Sequence, residues 1–134
     1  DFCLSRGLGD VYKRQEYSES FCKAVEDFTN AGIGLCLDDF GSGYANLNAV
    51  LRLPFDVVKM DRSLLTGITC DKQAAVFYHS IVTVMQNMGY TIVAEGAETE
   101  EEVSLLREWG VDMVQGYYFS RPLPEAELLR LFML

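Results

Sequence analysis

The sequence has few basic residues, a single histidine and no long apolar run. It contains 11 Lys and Arg against 20 Asp and Glu in 134 residues, which gives a formal net charge of −9. This acidic balance disfavours binding to nucleic acid polymers and to anionic lipid surfaces. No apolar run approaches the roughly 18 residues of a membrane span, and no basic stretch followed by an apolar one opens the chain. We therefore expect no membrane contact by this segment and no secretory signal.

The cysteines and the histidine lack the spacing of a zinc site. No two of the four cysteines form a Cys-x-x-Cys pair, and His79 is the single histidine, so a site of the zinc-finger type is excluded. We expect four reduced, mostly buried thiols in a cytoplasmic protein. The length suits one domain and falls well short of the roughly 250 residues of a complete (β/α)₈ barrel.

The apolar pattern alternates between helices and short strands. After a predicted helix over residues 16–30, a strand, a polar turn and a helix recur four times. The predicted strands cover residues 33–37, 56–60, 91–94 and 111–114. The helices predicted after them cover residues 44–51, 73–88 and 99–109, with a last helix that begins at Pro124. Such alternation predicts parallel α/β architecture, and the spacing fits either a barrel or an open sheet.

Two of these helices carry further signals. The apolar face of the helix over residues 73–88 is predicted to consist of Phe77, Ile81, Val84 or Met85, and Met88. Thr99 and Glu102 have the spacing of a capping box at the start of the next helix, and Gly110 is the residue expected just after its end.

Reactive side chains follow each predicted strand at its carboxyl end. They are Asp38 and Asp39, then Lys59 and Asp61, then Glu95, and finally Gln115. Taken singly, each has an ordinary interpretation as a solvated turn, a surface ion pair, a first-turn acid or a loop amide. Because parallel α/β folds build their sites at this edge, the recurrence predicts one site.

The adjacent acids Asp38 and Asp39 would point to opposite faces of a regular strand. They can serve one centre only if the chain bends directly after them, and Gly41 and Gly43 permit such a bend. Oxygen ligands without nearby His or Cys suit Mg²⁺ or Mn²⁺. Two such ions can activate a water and stabilise the leaving oxygen of a phosphodiester, while a nearby lysine neutralises phosphoryl charge.

Five segments resemble the motifs of one family, in order and at similar spacing. They are DDFGSGY at residues 38–44 with Asn-Leu at 46–47, LPFD at 53–56, VKMDR at 58–62, VAEGAET at 93–99 and QGYYFSRP at 115–122. Together they resemble the EAL domain, the bacterial cyclic-di-GMP phosphodiesterase family, from about residue 21 to residue 132. The resemblance implies a TIM-like (β/α) barrel that hydrolyses cyclic di-GMP to linear pGpG with two Mg²⁺ or Mn²⁺ ions in second-messenger signalling.

The resemblance also implies roles for individual residues. The implied metal ligands are Asp38, Asp39 and Glu95. The implied catalytic residues are Lys59, at the catalytic water or phosphate, together with Glu95 and Gln115. The residues to which it gives supporting roles are Asp61, Glu98, Gly41 and Gly43. The segment 41–47 resembles the loop that couples the metal site to a dimer interface, so a homodimer is expected for the parent protein.

The Glu-Ala-Leu signature is absent, and so are the asparagine and the glutamate of the strands that precede the DDFGSGY segment in this family. Residues 16–134 therefore resemble the carboxyl-terminal half of the domain, with strands five to eight and their helices. Because three expected ligands of one metal are missing, we expect this fragment to be inactive alone. Residues 1–15 match no part of the family, and residues 7–15 resemble translated sequencing-adapter read-through, which makes an artefact our hypothesis for this segment.

The sequence leaves one alternative to an enzyme of this kind open and disfavours another. A receptor that binds cyclic di-GMP without cleaving it stays open, since the missing half could carry inactivating changes. A phosphatase with an aspartyl nucleophile is disfavoured, because its Asp-x-Asp motif does not occur where Asp38 and Asp39 are adjacent.

Overall fold

The computed structural model describes residues 18–43 and 46–132. The chain divides into two units, Asp1–Ile33 and Gly34–Leu134. In the first unit, helix α1 covers Glu19–Asn30. It begins where the Ser18 hydroxyl accepts a hydrogen bond from the Phe21 amide (3.3 Å) and ends before Gly32, which has a φ of 75°. This confirms the first predicted helix, although residues 16 and 17 lie outside the described residues.

The second unit contains a parallel four-stranded sheet with helices between the strands. The strands are β1 (Cys36–Phe40), β2 (Val57–Met60), β3 (Thr91–Glu95) and β4 (Met113–Gln115), and they lie side by side in chain order. The helices are α2 (Asn46–Arg52), α3 (Arg62–Leu65), α4 (Lys72–Asn87), α5 (Glu100–Glu108) and α6 (Glu125–Phe132). The predicted parallel α/β architecture is confirmed.

The core of this unit lies against one face of the sheet. Alternate strand residues such as Val58, Met60, Ile92 and Ala94 are fully buried in one cluster with side chains from α4 and α5. Because successive strand residues point to opposite faces, Lys59, which lies between Val58 and Met60 in β2, faces away from this core. The opposite face of the sheet is therefore where polar side chains can gather.

The buried face of α4 differs from the prediction. Tyr78, Val82 and Met85 are buried, whereas Phe77 is 58% exposed and Met88 is 40% exposed. The predicted face was wrong at those two positions. Ile81 packs partly against the core, and of the two alternatives Val84 and Met85, Met85 is buried in the core whereas Val84 is exposed. The cause is that α4 carries apolar residues on two adjacent faces, so that its periodicity does not choose between them.

Two strands are shifted from their predicted ranges. β1 extends through Asp38 and Asp39 to Phe40, and β4 begins at Met113 and not at Val111. Before β4, the Val111 amide is used by the end of α5, where it donates to the Leu106 carbonyl (3.0 Å). The apolar runs therefore locate the strands along the chain, but backbone pairing with the neighbouring strand fixes where each one begins and ends.

The capping signals of α5 are confirmed. The Glu102 amide donates to the Thr99 hydroxyl (3.2 Å), and the Glu102 carboxylate accepts from the Thr99 amide (3.1 Å). Gly110 follows the helix with a φ of 74°.

The expectation of mostly buried thiols is wrong for the three cysteines that lie in the described residues. Cys22, Cys36 and Cys70 are free and exposed, and Cys3 lies outside the described residues. No helix within residues 18–43 and 46–132 combines the length and apolar character that crossing a bilayer requires.

Candidate metal and active site

Three carboxylates from two strands meet at the carboxyl edge of the sheet. Asp38 and Asp39 come from β1 and Glu95 from the end of β3, and each offers an oxygen within 4.8 Å of the other two. We call these three residues the acidic cluster. Their convergence is what the recurrence of acids at strand ends predicts.

Lys59 of β2, the strand between β1 and β3, lies among these acids. Its Nζ is 2.7 Å from Oδ1 of Asp38 and 2.6 Å from Oε1 of Glu95. The hydrogen bonds to Asp38 and then to Glu95 raise the pKa of Lys59 well above its usual range. The hydrogen bond from Lys59 likewise lowers the pKa of Asp38. Lys59 is therefore an ammonium at neutral pH and Asp38 a carboxylate.

The backbone at Asp39 lets both acids of β1 serve one centre. The pairing of β1 with β2 is irregular between Leu37 and Phe40, and Asp39 has a φ of 54°. Aspartate visits this left-handed region more readily than most residues. The bend thus occurs at Asp39 itself, and the two acids need not follow the alternation of a regular strand.

The two glycines predicted to support this bend differ from one another. Gly41 has a φ of 101°, and a Cβ there would come within 2.4 Å of the Leu64 side chain. Gly43 has no positive φ, and no atom of the described residues lies within 4 Å of where its Cβ would be. The prediction that Gly43 permits the bend through a positive φ is therefore wrong, because the turn is already made at Asp39 and Gly41.

Gln115 lies beside the acidic cluster through the sheet register. It is the partner of Glu95 in the pairing of β3 with β4. Its backbone oxygen accepts hydrogen bonds from the Gly96 amide (2.7 Å) and the Ala97 amide (3.2 Å). Gly116 packs so closely that a Cβ on it would overlap the Ala97 backbone. The sequence reasoning missed Gly116, for which the Gln-Gly pair at the strand end was the available signal.

Asp61 and Glu98 flank the acidic cluster without joining it. The Asp61 carboxylate caps α3 by accepting from the Ser63 amide (2.9 Å) and the Ser63 hydroxyl, and these bonds lower the pKa of Asp61. Glu98 Oε1 pairs with Nη2 of Arg62 at 2.8 Å. Arg62 is a second residue that the sequence reasoning did not single out.

The donor set at the acidic cluster fits a hard divalent cation. Every candidate ligand atom is a carboxylate oxygen, which is the donor that Mg²⁺ and Mn²⁺ prefer. Among the described residues, these three carboxylates converge, and the ammonium of Lys59 pairs with two of them, Asp38 and Glu95. A group of carboxylates of this kind can bind a divalent cation.

A protein-family model described as "EAL domain" matches residues 10–122. Among curated proteins, cyclic di-GMP phosphodiesterase NbdA of Pseudomonas aeruginosa is 40% identical over 104 residues, which are 78% of this chain and 13% of NbdA.

The range matched by the family model begins at residue 10, within the segment 1–15 that the sequence alone separates from the family. The boundary at residue 15 stays a prediction, and residues 1–17 lie outside the described residues.

Solved structures show the same likeness. The crystal structure of an EAL domain protein from Listeria monocytogenes is similar with a TM-score of 0.77 and 38% identity, over 83% of this chain and 45% of that chain. A calcium and cyclic-di-GMP complex of Klebsiella pneumoniae BlrP1 is similar with a TM-score of 0.70 and 36% identity, over 78% of this chain and 26% of that one. The chain thus spans less than half the length of each of these matches, and the predicted partial TIM-like architecture is confirmed.

Proposed function

The chain belongs to the EAL domain family, and we propose that residues 16–134 form the carboxyl-terminal half of a metal-dependent phosphodiesterase that hydrolyses cyclic di-GMP to linear pGpG. The observation that carries this proposal is the meeting of Asp38, Asp39 and Glu95 around Lys59 at the carboxyl edge of a parallel sheet. Relatives such as NbdA and RocR of Pseudomonas aeruginosa are named cyclic di-GMP phosphodiesterases, which favours an enzyme over the receptor alternative.

In this proposal, Asp38, Asp39 and Glu95 hold Mg²⁺ or Mn²⁺. Bound there, the metal would supply an activated water and neutralise charge on the phosphodiester oxygens. The complex of BlrP1 with calcium and cyclic di-GMP supports a divalent cation together with this ligand in a similar fold. The remaining ligands would come from the half of the domain that is not in this sequence, and for that reason the 134-residue chain is expected to be inactive alone.

Lys59 acts as a cation and not as a base. Its raised pKa keeps the ammonium protonated at neutral pH, so it donates hydrogen bonds and cannot take a proton from water. We assign it to holding the attacking water or a phosphoryl oxygen, since a fixed positive charge stabilises developing negative charge. Gln115 offers a neutral amide next to Glu95, and Asp61, Glu98 and Gly41 hold the surrounding turns.

The setting proposed for this enzyme is bacterial second-messenger signalling in the cytoplasm. Its partners would be cyclic di-GMP and, in the parent protein, a second copy of the same chain. The three free cysteines of the described residues are compatible with a reducing compartment.

A chimeric domain tests the proposal. Residues 18–132 would replace the matching half of the Listeria EAL domain protein, which would supply the missing strands. We expect the purified chimera to convert cyclic di-GMP to pGpG with Mg²⁺ or Mn²⁺, as followed by chromatography. Asp38→Asn and Lys59→Met should each lower kcat by at least about 100-fold, because each removes a charge at the reacting centre.

The matched control is Asp71→Asn, which removes an equivalent charge from an exposed cap at the start of α4. Its turnover should stay within about twofold of the unaltered chimera. A chimera that melts cooperatively and binds cyclic di-GMP, yet releases no pGpG with either metal, would contradict the proposal and favour the receptor.

A further inference from the structure

Arg62 is the first residue of α3, and its side chain contacts the turn that follows Glu95. Its Nη2 contacts Oε1 of Glu98 at 2.8 Å, three residues after Glu95. Both side chains are largely exposed, at 62% and 44%. An exposed ion pair contributes little to stability, so stability alone gives no reason for this contact.

The aliphatic part of Arg62 also covers the residue that follows Glu95. Gly96 has a φ of 79°, and a Cβ on Gly96 would lie 2.5 Å from Cγ of Arg62. Glycine is thus required at this position by its backbone conformation and by the approach of Arg62. The arginine therefore packs on the backbone of the turn and pairs with the turn's acid.

The same turn is held from its other sides. The Gly96 amide donates to the Gln115 carbonyl (2.7 Å), which attaches the turn to β4. The Glu98 amide donates to the Glu102 carboxylate (2.8 Å), which attaches it to α5. Arg62 supplies the attachment toward β2, so the segment that positions Glu95 is fixed on three sides.

We propose that Arg62 is a positioning residue, which holds the turn formed by residues 96–98 and thereby keeps the Glu95 carboxylate at the acidic cluster. This inference rests on the proposed function to the extent that the acidic cluster binds a divalent cation. Residues that orient a metal ligand without touching the metal typically change its affinity by 10-fold or more when they are removed.

If Arg62 acted only through its charge, its removal would change the cation affinity in the opposite direction. Loss of the Arg62 positive charge near a cation site should tighten cation binding if charge were its only contribution. Loss of a positioning contact should weaken binding. The direction of the change therefore separates the two explanations.

The test measures Mn²⁺ binding to the chimeric domain, in which the missing strands are supplied, by electron paramagnetic resonance of the free ion. Glu95→Gln in the chimera defines the binding that belongs to the acidic cluster. We expect Arg62→Ala to weaken that binding about 10-fold. Arg62→Lys keeps the methylenes and the charge and should stay within about threefold of the unaltered chimera. Arg107→Ala, which removes one exposed positive charge at the end of α5, should leave binding within about twofold.

Hydrogen exchange measured by mass spectrometry supplies a readout of the turn itself. In Arg62→Ala, exchange at residues 96–98 should be about 10-fold faster, while exchange in the middle of α5 stays unchanged. A general loss of stability would instead raise exchange in both places and would contradict a positioning role.

If the unaltered chimera binds no more Mn²⁺ than its Glu95→Gln variant does, the acidic cluster holds no metal, and the proposed function and the role of Arg62 fail together. If the unaltered chimera binds Mn²⁺ and Arg62→Ala binds it equally well or more tightly, the positioning role alone is overturned.

Discussion

At the scale of single residues, the pairing of Lys59 with Asp38 and Glu95 sets the electrostatics of the site. The hydrogen bond from Lys59 is the largest cause of the lowered pKa of Asp38. A lowered pKa means that the folded chain favours the carboxylate form of Asp38. The resulting contribution to folding stability is fully present above pH 3.8, the ordinary pKa, and is lost as the pH falls through the lowered pKa. The charge of Asp38 is therefore constant near neutral pH.

Lys59→Met should raise the pKa of Asp38 toward 3.8, because it removes the main cause of the shift. The measurement is a pH titration of the Asp38 carboxyl carbon by NMR. Lys72→Met, which removes an exposed charge at the start of α4, should leave that pKa where it is. An unchanged Asp38 pKa in Lys59→Met would show that the ion pair does not exist in solution.

The buried phenol of Tyr78 is a second feature at this scale. Its side chain is fully buried, and its hydroxyl has no hydrogen-bond partner among the described residues. Burial raises the pKa of Tyr78. The centroid of its ring lies 5.8 Å from that of Trp109. The ring is therefore well packed, but the hydroxyl oxygen lacks a hydrogen bond among the described residues.

Tyr78→Phe should therefore raise the free energy of unfolding by about 1 kcal/mol, since an unsatisfied buried hydroxyl costs about that much or more. Urea denaturation of the chimeric domain, in which the strand edges would be paired, measures the change. Tyr90→Phe is the matched comparison, because the Tyr90 hydroxyl donates to the Val50 carbonyl (2.8 Å), and its loss should lower stability. Destabilisation by Tyr78→Phe would mean that its hydroxyl is hydrogen-bonded in solution.

At the scale of elements, the capping box of α5 directly follows the turn of residues 96–98, which connects Glu95 to this helix. Thr99→Ala removes the acceptor for the Glu102 amide and should cost about 1 kcal/mol of stability. Ser104→Ala, in the middle of the same helix, should cost less than about 0.5 kcal/mol. Equal effects of the two substitutions in urea denaturation would contradict the assigned role of the cap.

The elements also show what the sequence can predict. The strands and the long helices can be predicted from the spacing of apolar residues and from the glycines and capping residues at their ends. The acids that follow the strands predict where the site lies. The sequence predicts a bend directly after the two acids of β1, but its position at Asp39 itself could not be predicted, because it depends on the irregular pairing of β1 with β2. The four-residue α3 is too short to show a period, although Asp61 at its start was a usable signal. The contact of Arg62 with Gly96 depends on the approach of two loops that are distant in sequence.

At the scale of the whole molecule, the sheet is open at both edges within the described residues. β1 and β4 each pair with one neighbouring strand only. The face that carries the acidic cluster also exposes apolar surface, as at Met113, which is 49% exposed. Unpaired strand edges of this kind promote association between chains.

The isolated 134-residue chain should therefore self-associate or lose fixed packing, and sedimentation velocity should detect species larger than a monomer. In the chimeric domain, where the edges would be paired, a monomer or a defined dimer is expected. A sharp two-state melt of a monomeric 134-residue chain would contradict this expectation.

If Asp38, Asp39 and Glu95 form one divalent-cation site, crystals of the chimeric domain grown with Mn²⁺ should show the ion there by anomalous diffraction. We expect an anomalous peak about 2 Å from carboxylate oxygens of these three residues. An ordered Glu95 side chain with no peak beside it, or a Mn²⁺ peak held by other residues alone, would contradict it.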